Sequence, residues 1–329
     1  MKNVTFKQLR YFEALARHGH FRRAAEACGI SQPALSMQIK ELEEEVGIEL
    51  FERGARQVRL TGFGEEFAPR IRDILRAVDE LGDLARVSRD RLVGRLRIGV
   101  IPTVAPYLLP TLLGNLSRLH NGLDIHVRET QTPKLLQELE EGRLDTAIVA
   151  LPVSEPALTE ITLFTENFVL VRPGADEGKP VPGPEAVREM RLLLLEEGHC
   201  FRDQALSFCN VDMRAAPPRD FLDASSLSTL VQMVDAGIGV TLIPEMAVPV
   251  ETRSASVCIT RFRDPQPSRT IGMVWRKTSP LAKQLQQISE AVRDATDTLR
   301  RPRGAVLLPS TSAGREALPA PVSEATRRD

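Results

Sequence analysis

From Phe6 to Leu92 apolar residues recur every three or four positions, the spacing of helix faces, and very little of this stretch alternates as a strand would. Past Gly94 the rhythm changes. Leu96 to Ile101, Leu123 to Val127, Asp145 to Leu151 and Phe168 to Val171 are short strand-like runs, and Leu108 to Leu119 and Lys134 to Glu141 keep helical spacing between them. The alternation continues with strands at Leu192 to Leu195 and Gly239 to Ile243, a helix from Leu227 to Ala236, a strand from Thr270 to Trp275 and a closing helix from Leu281 to Leu299. Alternating strands and helices define an α/β part. Gly94 and the charged run Arg86 to Arg95 predict a linker between the halves, and Pro182-Gly183-Pro184 and Pro217-Pro218 predict loops. Residues 302–329 lose all periodicity and predict a disordered tail.

Within the helical part, Ala24, Ala25 and Cys28 fall on one face of a short helix that Gly29 ends, and Ser31-Gln32-Pro33 opens a second helix as cap and first turn. This predicts a helix-turn-helix. Leu35, Ile39, Leu42 and Val46 form the buried stripe of the second helix, which leaves Gln32, Pro33, Ser36, Gln38 and Lys40 on or near its outward face, suited to base edges of double-stranded DNA. Arg53, Arg56 and Arg59 follow in a Gly-containing turn like a wing, where arginines meet phosphates. A plain three-helix bundle with a solvated polar face explains the small-residue pattern as well. From Thr61 a long helix carries Phe67, Ile71, Ile74, Leu75, Val78 and Leu81 along one side, a seam that calls for a second copy of the chain.

Composition narrows the field. The chain has 329 residues and a net charge of −1, so it suits two or three domains, and positive charge for DNA must be local. Residues 1–60 hold ten Lys/Arg against eight Asp/Glu, and the acidic run Glu41 to Glu45 must turn away from phosphates. Neither a membrane-spanning run nor a secretory leader is visible, which predicts a cytoplasmic protein without a membrane partner. Four cysteines, Cys28, Cys200, Cys209 and Cys258, form no CxxC or zinc pattern, so no metal and no cofactor is expected. Gly237-Ile238-Gly239 lies between helix and strand and is no dinucleotide fingerprint.

Phe21-Arg22-Arg23-Ala24-Ala25, Ser31-Gln32-Pro33-Ala34-Leu35-Ser36 and Leu50-Phe51-Glu52-Arg53 resemble the N-terminal domain of LysR-type transcriptional regulators. The resemblance implies a winged helix-turn-helix over 1–60, a dimerisation helix over 61–92, and an effector domain over 93–301. That effector domain is built like a periplasmic binding protein from two α/β subdomains, 93–164 with 269–301, and 165–268. Overall the fold class is α/β with an N-terminal DNA-binding unit.

One segment carries chemistry. Leu193 to Leu206 reads as a strand, a Gly turn at Gly198 and the first turn of a helix, with Cys200 at the helix start beside His199 and Arg202. Helix N-termini and neighbouring cations favour thiolate, the form that attacks peroxide. Two buried, inert cysteines remain the plain alternative. However, His199-Cys200-Phe201-Arg202-Asp203-Gln204-Ala205 with Phe208-Cys209, and Ile101-Pro102-Thr103-Val104-Ala105-Pro106, are similar to the hydrogen-peroxide-sensing members of the LysR family. Matches at Glu129 to Thr132, Gly237 to Pro244 and Arg269 to Gly272 extend the likeness.

This resemblance implies that Cys200 is the peroxidatic residue and Cys209 the resolving one. It also implies a pocket of Thr103, Thr132, His199, Asp203 and Arg269 around Cys200, a homodimer or homotetramer on the operator, contact with RNA polymerase, and thioredoxin or glutaredoxin as reductant. Nine residues of continuous helix separate two positions by about 13.5 Å, whereas a disulfide needs Cα atoms within about 4.4 to 6.8 Å. Such a bond therefore unwinds the helix. The loop Asn210 to Asp220 departs from the family pattern, Phe201 puts an aromatic beside the thiol where it would alter access, and Cys258 lies in no motif. Two other readings stand beside this one: a LysR-type regulator of a small metabolite with incidental cysteines, and, far weaker, a thiol peroxidase with a DNA-binding appendage.

Overall fold

Residues 3–53, 58–87, 94–183, 186–187, 190–208 and 222–300 are described by the structure, a computed structural model. The first unit packs α1 (Phe6–His18), α2 (Phe21–Cys28) and α3 (Gln32–Val46) against the two-stranded wing β1 (Phe51–Arg53) and β2 (Val58–Leu60) and the start of α4 (Gly62–Val87). Local signals fix the elements. Thr5 and Gln8 form a capping box, Gly29 closes α2 with φ at 66°, and the Ser31 hydroxyl accepts from the Ala34 amide at 3.3 Å with Pro33 in the first turn. Leu9, Phe12, Leu15, Ala24, Leu35, Ile39 and Leu42 form the core, joined by Ala68 and Ile71 from α4, and Phe12 lies 5.1 Å from Phe51 and 5.6 Å from Phe67. Within the acidic run Glu41 to Glu45, Glu43 turns into the protein. It is buried, and its carboxylate accepts from the Leu50 and Phe51 amides at 2.9 and 3.2 Å, tying α3 to the wing.

The second unit is one nine-stranded sheet with helices on it. In chain order its elements are β3 (Gly94–Val100), α5 (Ala105–Leu119), β4 (Leu123–Glu129), α6 (Thr132–Glu140), β5 (Thr146–Leu151), β6 (Leu158–Pro173) and β7 (Leu192–Leu195). There follow α7 (Cys200–Phe208), β8 (Leu222–Ala224), α8 (Leu227–Asp235), β9 (Val240–Pro244), α9 (Val248–Glu251), β10 (Val257–Arg261), β11 (Ser268–Arg276) and α10 (Ala282–Arg300). The strand order is β4-β3-β5-β11-β6-β9-β7-β8, with β10 on β6. Parallel pairs β3/β4, β3/β5, β7/β8 and β7/β9 lie toward the two ends, and the antiparallel partners β11 and β6 join them.

Two apolar cores form on this sheet. One gathers Leu96, Ile98, Leu108, Leu135, Ile148, Phe164, Ile271 and Leu285; the other gathers Phe168, Leu170, Leu193, Phe201, Leu230, Ile243 and Phe262. β6 passes through both, pairing with β11 from Leu158 to Asn167 and with β9 and β10 from Phe168 to Pro173. Its first half, Leu158 to Asn167, and all of β10 are strands that the apolar runs do not reveal, because Thr, Glu and Arg interrupt their apolar positions. The expected disordered tail, the loop Asn210 to Asp220 and most of the charged linker lie outside the described residues.

Candidate functional site

The outward face of α3 presents Gln32, Pro33, Ser36 and Lys40 to solvent, and Met37 beside them is 57% exposed. Lys40 pairs with Glu44 at 3.5 Å. Gln38 is half-buried and donates to the Glu41 carboxylate at 2.6 Å, so it belongs to the flank of this face. Arg53 ends β1 opposite Val58, exposed Arg59 sits in β2, and Arg56 lies outside the described residues.

Cys200 is the first residue of α7, half-buried, at the junction of the two cores. Although α7 follows β7 and its buried residues belong to the second core, Cys200 itself packs against the first. It opens on a cleft of about 520 Å³ lined by Thr132, Pro133, Leu136, Gln137 and Glu140 from α6, by Glu155, and by Gly198 and Asp203 around the thiol. Gly198 has φ at 92°, and a side chain there would meet the Gln131 amide oxygen at 2.3 Å. The Gln131 side-chain amide in turn donates to the Glu197 carbonyl at 3.1 Å, which closes the two cores on each other beside the thiol. Gln131 is the N-cap of α6, and the buried hydroxyl of Thr132, the first residue of that helix, makes no hydrogen bond. A larger depression of about 640 Å³, between Pro182, Phe208, Phe262 and Pro267, contains none of the candidate residues.

The expected pocket is thus divided. Thr132, Asp203 and Cys200 share the cleft, while Thr103 and Arg269 form a buried pair that does not line it. Arg269 donates to the Thr103 hydroxyl at 2.7 Å and carbonyl at 3.0 Å, and to Glu166 at 2.9 and 2.7 Å. Its guanidinium carbon lies 5.4 Å from the centre of the Phe201 ring, which is itself buried edge-on to Phe168 at 4.9 Å. Phe201 is therefore a core anchor for the first turn of α7, not a cover over the thiol.

The cations expected beside the thiol are also spent elsewhere. Arg202 is buried and donates to the Leu195 carbonyl at 2.7 Å and Asp223 at 2.6 Å. Burial lowers the pKa of His199, with Glu196 at 3.9 Å opposing, which favours the neutral ring. What remains beside the thiol among the described residues is the N-terminal end of α7. A thiol at a helix start, facing an open cleft with one unpaired hydroxyl, can attack a small electrophile whose departing oxygen needs a donor.

Comparison with known proteins agrees with both halves. Residues 6–65 match the bacterial regulatory helix-turn-helix protein, lysR family, and residues 89–297 match the LysR substrate binding domain. The chain belongs to the LysR family of transcriptional regulators. As the sequence implied, the similar proteins within that family carry the names OxyR and hydrogen peroxide-inducible genes activator. A probable hydrogen peroxide-inducible genes activator of Streptomyces viridosporus is 46% identical over 300 residues, spanning 89% of this chain and 95% of the relative. The dual regulator OxyR of Escherichia coli K12 is 42% identical over 299 residues, spanning 89% and 96%. A full-length OxyR from Pseudomonas aeruginosa with a cysteine-to-aspartate change superposes with a TM-score of 0.71 at 34% identity, covering 88% of this chain and 95% of that one.

As expected of the family, this LysR protein is a DNA-binding regulator of transcription and not an enzyme. Among the described residues no helix is long and apolar enough to cross a membrane.

Proposed function

We propose that this LysR-family regulator senses hydrogen peroxide through Cys200. The carrying observation is the position of Cys200: at a helix N-terminus, open to the cleft, and packed on the core its own helix does not belong to. The Cys200 thiolate attacks one peroxide oxygen, the O–O bond breaks, and the departing hydroxide takes a proton to leave as water, which gives sulfenic acid at Cys200. We assign the donor for the departing oxygen to the Thr132 hydroxyl, which is buried in the wall of the cleft without a hydrogen bond of its own. The Cys209 thiol then displaces that hydroxyl, forming a disulfide and a second water. Cys209 itself lies outside the described residues. Because α7 runs to Phe208, pairing the two sulfurs unwinds it and pulls Cys200 off the first core.

The other parts of this reading follow from the resemblance: dimers assembled as a tetramer on the operator, contact with RNA polymerase, reduction by thioredoxin or glutaredoxin, and a cytoplasmic location. The domain limits 1–60, 61–92 and 93–301 belong to the same proposal. The roles of Gln32, Pro33, Ser36 and Lys40 at base edges, with Gln38 at the flank and Arg53 and Arg56 at phosphates, belong to it as well. The cysteine variant of Corynebacterium glutamicum OxyR bound to hydrogen peroxide supports the ligand, with a TM-score of 0.61 at 35% identity over 90% of this chain. An anionic metabolite fits the cleft poorly, since Glu140, Glu155 and Asp203 line it. The test is peptide mapping after stoichiometric peroxide and alkylation. A Cys200–Cys209 disulfide is expected, and two alkylated thiols would reject the sensor in favour of the metabolite regulator.

A further inference from the structure

One face of α6 lines the cysteine cleft from Thr132 and Pro133 through Leu136 to Glu140, and its C-terminal end also meets the long helix α4. The helix is nine residues long, about 13.5 Å. The last carbonyls of any helix lack partners within it. Here backbone amides of the following turn take those of Gln137 and Glu138, and arginines reach the last two, Leu139 and Glu140. Arg276 donates to the Leu139 and Leu144 carbonyls at 2.6 and 3.0 Å, and Arg76 of α4 donates to the Glu140 carbonyl at 2.8 Å. Gly142, with φ at 72°, leaves room for the Arg76 stem, which a side chain there would approach to 3.0 Å.

Arg72, Arg76 and Glu80 stand four residues apart on one face of α4. Arg72 bridges Glu141 at 4.0 Å and Glu13 of α1 at 3.2 Å, so a single side chain touches both the effector unit and the DNA-binding unit. Glu80 faces Arg276 at 3.9 Å, and both carry a buried polar atom without a hydrogen bond. A dock of charged groups left partly unsatisfied is held by a small margin.

We propose that this arginine dock of α4 on the C-terminal end of α6 carries the state of the cysteine cleft to the DNA-binding unit. The inference rests on the sensor reading of Cys200. Oxidation withdraws the thiol from the cleft, α6 shifts at its N-terminal end, and the dock loosens at the other. Arg76 acts as a positioning residue and takes no part in the chemistry.

The experiment uses the full chain and its Arg76→Ala and Arg76→Lys variants, with a DNA duplex selected from a random pool by the reduced wild-type protein. Hydrogen exchange at residues 139–144 is followed together with Cys200 oxidation and the footprint. Oxidising the wild type is expected to speed this exchange about tenfold, the equivalent of about 1.4 kcal/mol. Arg76→Ala is expected to show that faster exchange already when reduced, to oxidise at Cys200 at the wild-type rate, and to lose the difference between reduced and oxidised footprints. Arg76→Lys, which keeps a donor for the Glu140 carbonyl, restores the difference. Arg76→Ala with wild-type exchange, or with a footprint that still responds fully to peroxide, overturns the proposal. A wild type whose Cys200 stays reduced refutes the sensor reading instead, and mass spectrometry separates that outcome from failure of the dock.

Discussion

Glu166 and Arg269 offer the sharpest test of what holds the effector unit together. Their side chains are 3% and 0% exposed, and two hydrogen bonds of 2.9 and 2.7 Å run from the guanidinium to one carboxylate oxygen. Glu166→Leu leaves the Arg269 cation inside the protein with only Thr103 as an oxygen partner among the hydrogen bonds described, and leaves the Met246 amide without its acceptor at 3.2 Å. Stranding one member of a buried pair costs about 3 to 5 kcal/mol. At about 2 to 4 °C per kcal/mol for a unit of this size, the effector transition falls by about 6 to 20 °C. Arg269→Met costs a similar amount by stranding the carboxylate. The double variant Glu166→Leu/Arg269→Met removes both charges, and in differential scanning calorimetry it recovers at least half of the loss. Losses that simply add in the double variant would refute the argument, since they would show that neither charge was compensating the other.

Other consequences can be measured as directly. Since burial lowers the folded pKa of His199, the unfolded chain takes up a proton near the ordinary value of about 6.5 while the folded chain resists it. Stability is therefore full above that pH and falls as the solution is acidified below it; His199→Gln flattens this part of the urea-midpoint profile. Gly198→Ala forces a side chain into a positive φ and onto Gln131, costing about 1 to 2 kcal/mol for the backbone and about 1 kcal/mol for the lost hydrogen bond, read as a lower melting temperature. Glu43→Ala leaves the Leu50 and Phe51 amides without their carboxylate; about 2 kcal/mol is lost from the DNA-binding unit, and circular dichroism on urea titration would report it. Thr132→Val keeps the shape of the cleft but removes its donor, and slows peroxide oxidation of Cys200 about tenfold or more in alkylation time courses.

Local grammar made much of this fold legible in the sequence. Ser31 and Pro33 open α3, Gly29 closes α2, and Gly198 turns the chain from β7 into the helix that Cys200 begins. Those signals act within a few residues. What escaped depends on partners far along the chain. Arg269, at the start of a strand, could equally have been a surface charge, yet it is buried because Glu166, remote in sequence, lies opposite it across β6 and β11. Arg202 sits next to the thiol in sequence but turns to the Leu195 carbonyl and Asp223. Glu43 belongs to an acidic run whose other members gave no reason to single it out, and only the wing amides explain its burial.

The sixteen residues of β6 have a mechanical consequence. In a protein whose lobes are joined by loose crossings, a ligand can close the lobes like jaws. Here the two lobes share a strand, and β11 is laced along nine residues to its first half, so a jaw motion would have to bend one continuous strand where its partners change from β11 to β9 and β10. The sheet stays fixed as a keel. Movement is left to the helices lying on it, and the message to DNA is a helix shifting against a stationary floor, short in reach and carried only where helix ends touch.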